Sequence, residues 1–252
     1  MKLLLRISYL GTRFCGYQIQ KDKRTVQGEL NSAAKALFGR DCDVTGCSRT
    51  DSGVHANDFC VTLTNKGEDH LDTDIDISKI PRALCAHLPK DISVRSAEWV
   101  SSSFHPRYDV RYKEYIYRIY NGPFRDPFEE GRSLYLPQTI SDEVLEMMNS
   151  AAAYFVGEHD FSAFMAAGST VENTVREVLY ADVHREGDVI VFRVAADGFL
   201  YNMVRIMVGT LLSVAQGKIE PAQIQEIIES GCRSRAGMTA AAHGLYLNKV
   251  VY

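Results

Sequence analysis

The chain has 252 residues, 46% of them hydrophobic and 24% charged, with a formal net charge of −4. That composition belongs to a globular protein with ample material for a core, and it excludes a disordered or collagen-like chain. The mildly negative charge argues against a generally sticky nucleic-acid binder but leaves room for a local basic groove, because fields are set by patches within about a Debye length (~10 Å).

The opening MKLLLRISYL has only three consecutive leucines before Arg6, too short a run for a secretory core. The apolar run 199–215 is shorter than the roughly 20 residues of a membrane helix, and Arg205 interrupts it. A cytoplasmic protein without a membrane segment is the expectation. Six cysteines, at 15, 42, 47, 60, 85 and 232, show neither C-x-x-C nor zinc spacing. They read as reduced packing residues.

In chain order, residues 3–10 read as a strand and 25–39 as a helix capped by Thr25, with Val26, Leu30, Ala33 and Leu37 on one face. Residues 42–47 and 58–65 read as strands, the second carrying Phe59, Val61 and Leu63 on one side. A helix over 77–88, with proline in its first turn, leads to a strand over 92–100. The order is β-α-β-β-α-β. From Arg111 the pattern repeats: strand 111–120, helix 141–157 capped by Ser141, strands 175–185 and 188–196, helix 199–215, and a last strand 244–252 preceded by a short helix at 221–231. The fold class is therefore α+β. Two ferredoxin-like or RRM-like βαββαβ halves are expected to share an extended, mainly antiparallel sheet, with helices on one face and the other left available. The boundary lies around 101–110, which gives halves of 1–103 and 104–252.

A helix apolar on every side is normally buried, and a buried cation needs a counter-charge. Arg205 therefore calls for an anion from another segment or from a ligand. The polar loop GCSRTDSGVHAND, 46–58, offers Asp51, which is best placed if the two halves join side by side. Read locally, Asp-Ser-Gly is also good turn chemistry, with Gly53 free to take a positive φ. Both readings stand at this level. His55, beside the loop, is a candidate polar contact, whereas His159 and His184 lack companion ligands and read as structural.

In 104–120, Arg107, Arg111, Lys113 and Arg118 are interleaved with one phenylalanine and five tyrosines. Strand alternation would project Arg111, Lys113, Tyr115 and Tyr117 together. Cations for phosphates and rings for bases suit an extruded nucleotide, although tyrosines also serve strand propensity. In YLGTRFCGYQIQKDKR, Gly11 and Gly16 flank Arg13, and Gln18 and Gln20 alternate onto one face, for RNA contact or for simple solvation. Glu68, Asp69, Asp72, Asp74 and Asp76 read as a solvated loop, with no partner histidine or EF-hand spacing to argue for a metal.

GCSRTDSGVHA resembles the GxGRTDxGVHA signature of the TruA-type tRNA pseudouridine synthases. The likeness continues through YLGTRFCGYQIQ, TVQGEL, FHPRYDVRYKEYIYRI, GEHDFSAF, TVREV, FLYNMVRIMVGTLL and AGMTAAAHGLYLNKVVY. It implies a homodimeric enzyme, free of cofactor and metal, that converts uridine to pseudouridine in the anticodon stem-loop of tRNA. By the resemblance, Asp51 is the catalytic aspartate and Arg49 the arginine associated with extruding the base. Tyr115 packs on the target uracil, Arg205 is the basic partner of the aspartate, and Leu245 lines the pocket. Three departures, Ser48 for glycine, Tyr17 for tryptophan and Ala241-Ala242 for Pro-Ala, remove no reacting group and bear on substrate breadth. A non-catalytic RRM-like RNA binder would explain the basic-aromatic strand but give Asp51 and Arg205 no role, and a metal-dependent hydrolase lacks its ligand clusters.

Overall fold

In the computed structural model, which describes residues 1–169 and 171–252, the hydrophobic alternation becomes sheet in two units. One comprises Met1–Arg111 with Tyr246–Tyr252, the other Tyr112–Leu245.

The first unit runs β1 (Lys2–Tyr9), α1 (Val26–Phe38), β2 (Cys42–Gly46), β3 (His55–Asn65), α2 (Ile80–His87) and β4 (Ile92–Val100), the order expected. β1 lies between β3 and β4, antiparallel to both, and β2 is antiparallel to β3. Register decides the core: Leu3, Leu5 and Ile7 face the same side as their partners Leu63, Val61 and Phe59, and all six are buried. Thr25 caps α1 by accepting from the Gly28 N–H, a contact worth about 1 kcal/mol, and Gly39 ends the helix in the left-handed region. Pro81 stands in the first turn of α2, where no N–H is needed.

The second unit runs β5 (Tyr112–Tyr120), β6 (Leu134–Tyr135), α3 (Asp142–Ala153), β7 (Gly157–Asp160), β8 (Val175–Glu186), β9 (Val189–Ala196), α4 (Met203–Ala215) and α5 (Gln223–Ser230). β9 lies between β5 and β8, antiparallel to both; β7 is antiparallel to β8 and the short β6 parallel to β5. Ser141 caps α3, and Asp142 and Glu143 in its first turn complement the helix dipole. α4 is buried on almost every side, as its composition requires. It starts at Met203, not Phe199.

The chain then returns to the first unit. β10 (Leu245–Val251) pairs parallel with β3 through Tyr246 and Leu247, and Asp58 accepts from both the Val250 N–H and Arg6. Tyr252 packs edge-on against Phe104 and donates to the Pro106 carbonyl, which ties the 101–111 linker to this unit. The division is thus not the linear one at 103/104. No helix among the described residues is long and apolar enough to cross a membrane.

Candidate active site

In the first unit, residues 47–54 connect β2 to β3. The Val54 N–H closes a turn on the Asp51 carbonyl (3.2 Å), and Gly53 takes φ +83°, which glycine adopts without steric cost. The turn reading therefore holds, on the same segment that carries Asp51. A strap formed by residues 9–17 pins this turn. Tyr9 Oη and Thr50 Oγ1 share a hydrogen bond (2.8 Å), the Tyr17 N–H donates to the Thr50 carbonyl, and Ser52 Oγ and the Gly53 N–H both donate to the Phe14 carbonyl. The two strap glycines are needed for contact: a Cβ on Gly11 would lie 1.9 Å from the Val54 carbonyl oxygen, and one on Gly16, at φ +82°, 2.6 Å from that of Thr50. Asp51 itself is half-buried and Arg49 exposed.

Two expectations change here. Residues 10–20 form a 3₁₀ turn (Gly11–Arg13) and bends, not a strand, so Gln18 and Gln20 do not alternate on a sheet face. Both are exposed, and Gln20 donates back to the Cys15 carbonyl. His55 is wholly buried; its Nδ1 accepts from the Gly11 N–H (2.9 Å) and its ring stacks on Tyr246 at 4.5 Å. It fastens the strap to β3 at that strand's first residue.

In the second unit, the arginine on the apolar helix is half-buried, less enclosed than the sequence suggests. Its Nη1 donates to Asn202 Oδ1 and its Nε to the Ala240 carbonyl, each at 2.7 Å, so neutral acceptors carry part of its desolvation. The Ala240 N–H donates in turn to the Arg205 carbonyl. Residues 237–240 can reach the helix because a Cβ on Gly209 would meet the Met238 carbonyl oxygen at 1.6 Å, and because the Gly237 N–H donates to the buried Thr210 hydroxyl. Tyr117 donates to the Ala241 carbonyl (2.7 Å), and its ring fills the space that the absent Gly244 side chain leaves. Burial pushes the Tyr117 phenol well above its ordinary range, with the nearby Arg205 charge opposing.

Tyr115 on β5 is 6% exposed and meets Phe199 edge-on at 4.9 Å. Tyr115 and Tyr117 share the core-facing row with Ile119, while Arg107 and Arg111 are exposed and lie before the strand, so the expected basic-aromatic face shrinks to Lys113 and its two tyrosine neighbours. Leu245, 6% exposed, opens β10.

A family model described as tRNA pseudouridine synthase matches residues 6–109 and 151–252. The chain belongs to this family. The chain is 43% identical over 249 residues to tRNA pseudouridine synthase A of Acetivibrio thermocellus, with 98% of each chain covered. It is 43% identical to the protein of that name from Brevibacillus brevis, covering 98% of this chain and 97% of that one.

The departures from the family pattern are accommodated in this synthase fold without backbone strain. Ser48 does not have a positive φ, so its side chain is tolerated where the pattern has glycine. Ala241 sits at φ −59°, the value proline would impose. Tyr17 stacks on Phe59 at 4.5 Å, but its buried hydroxyl has no hydrogen-bond partner among the described residues. The acidic run holds one surprise: His70 Nε2 lies 3.1 Å from Glu68 and 3.6 Å from Asp72, so a histidine does accompany these carboxylates. Asn65 donates to both carboxylates, and the group forms a largely exposed, internally hydrogen-bonded loop. Of the cysteines, Cys42, Cys47 and Cys60 are buried, and burial pushes the Cys60 thiol up to about 12, which keeps it inert. Sequence reasoning missed Asn202, the Ala240 carbonyl and the Tyr9–Thr50 pair. Only the first had a local signal, an asparagine just ahead of an apolar helix.

Proposed function

We propose that the chain isomerises uridine in the anticodon stem-loop of tRNA, with Asp51 as nucleophile, Arg205 as its counter-charge and no cofactor or metal. The reaction breaks the bond from C1′ to N1, turns the uracil, joins C5 to C1′, releases the C5 proton to a base and takes up a proton at N1, with no net redox change. The target must leave its stack, at a cost of a few kcal/mol. Phosphate contacts from Arg49, Arg107, Arg111 and Lys113 and stacking on Tyr115 offset this cost, and the exposure of Arg49, Arg107 and Arg111 supports that role. Gln18 and Gln20 are exposed and serve as further RNA contacts. His55, buried as it is, acts through the loop. Asp51 must be ionised to attack, and a cation in a closing pocket favours that form against desolvation. Tyr115, or a water it orients, takes the C5 proton, and Leu245 forms part of the pocket wall. A cytoplasmic homodimer is the setting the family resemblance implies.

The observation that carries this reading is the anchored turn: the family signature falls on the segment whose carboxylate-bearing residue is flanked on both sides by residues bonded to the strap. Asp51→Asn is expected to lower tritium release from C5-labelled tRNA more than about 10³-fold while leaving tRNA affinity within about threefold. Near-normal release by the variant overturns the assignment.

A further inference from the structure

Among the described residues, only Asp22 and Asn202 combine a side chain with a positive φ. Asn202, at φ +60° and ψ +10°, is the N-cap residue of α4, where asparagine ordinarily turns its oxygen onto the first free N–H groups of the helix. Here it makes no such cap; its Oδ1 accepts from Arg205 Nη1 instead. The structure thus bears a left-handed backbone and forgoes a cap, and what it obtains is one hydrogen bond to a guanidinium. Strain of this kind, kept beside a reactive group, is a pointer to function. The second contact gives the first its meaning. With Nε fixed on the Ala240 carbonyl and Nη1 on Asn202, two edges of a rigid planar fork are set, and rotation about the Nε–Cζ axis is blocked.

We propose that Asn202 is a positioning residue that presets the plane of the Arg205 guanidinium, so that the cation is already oriented when the substrate arrives. Its catalytic consequence rests on the reading of Arg205 as the counter-charge of the aspartate. Preorganisation of this sort acts on the transition state and hardly on ground-state binding.

Asn202→Gly isolates the effect, because glycine accepts the left-handed backbone freely and only the side chain is lost. The expected result is a melting temperature unchanged or raised, KM for tRNA within about twofold, and kcat reduced roughly ten- to hundred-fold, the scale of a displaced catalytic group. In arginine side-chain NMR, the Arg205 Nη protons should change from separate to averaged signals. Asn202→Asp, which keeps an acceptor and tolerates the same φ, should restore the separate signals. Wild-type kcat in Asn202→Gly, or unchanged Nη signals, overturns the proposal. Arg205→Gln separates the two ideas: if it is fully active, the counter-charge reading itself fails, whereas an inactive Arg205→Gln beside a fully active Asn202→Gly removes only the positioning role.

Discussion

In the first unit the candidate nucleophile is steadied through its neighbours, with Thr50, Ser52, Gly53 and Val54 each bonded or packed against the strap or closing the turn. In the second, the candidate counter-charge itself is gripped, by Asn202 and the Ala240 carbonyl. Both places use a glycine to let two backbones close in, Gly11 beneath Val54 and Gly209 beneath Met238. The difference follows from the element that carries each group. A connecting loop has no ladder of its own and must borrow rigidity from another segment. A helix already has its backbone fixed, so only the side chain remains to be ordered.

The sharpest way to break this contrast is Gly11→Ala. The new Cβ would collide with main chain, not with a yielding side chain, so the strap must lift from the turn. We expect a loss of about 3 kcal/mol in urea unfolding together with a fall in activity, the upper range for overpacking. Unchanged stability would show that the strap is not what holds the loop.

A smaller effect concerns the foot of the strap. Asp91 takes Arg13 and Arg24 on its carboxylate and the Leu10 N–H on its carbonyl, and the Arg13 hydrogen bond holds its carboxyl below the usual range. A folded-state value below the unfolded one stabilises above the unfolded pKa of about 3.9, and that contribution is lost as pH falls through the folded value. Because both arginines are substantially exposed, Asp91→Asn should cost at most about 1 kcal/mol near neutrality. Its stability should then fall less steeply than wild type on acidification below about pH 4, as a pH series of thermal melts would read. A variant with the same acid limb would remove Asp91 from the strap's support.

The smallest and opposite effect belongs to Tyr17→Phe, which deletes a buried hydroxyl that lacks a partner and should gain up to about 1 kcal/mol. Destabilisation in calorimetry would mean that the hydroxyl is satisfied in solution and that the strap is polar where it now reads as apolar.

Much of the fold could be read ahead of the coordinates because its signals are local. Thr25 and Ser141 cap helices where S/T precedes a periodic run, and Pro81 marks a first turn. What escaped was set by distant partners or by too few residues. β7 is four mostly polar residues paired to β8, and β6 only two residues. The left-handed turn at Asn202, which delays the start of α4 by four residues from Phe199, depends on a dihedral that hydropathy does not encode. At the site, the turn chemistry of Asp-Ser-Gly and the isolation of Arg205 were visible in the residues themselves. Its acceptor at Ala240 lies 35 positions away and is a backbone atom, so no residue type announces it.

The return of Tyr246–Tyr252 to the first unit also orders events in time. During synthesis β1 to β4 leave the ribosome long before β10 exists, so the His55–Ala56 end of β3 waits without its parallel neighbour while the whole second unit is made. An unpaired strand edge is a template for wrong partners, and this chain carries one until Leu245–Val251 has been translated.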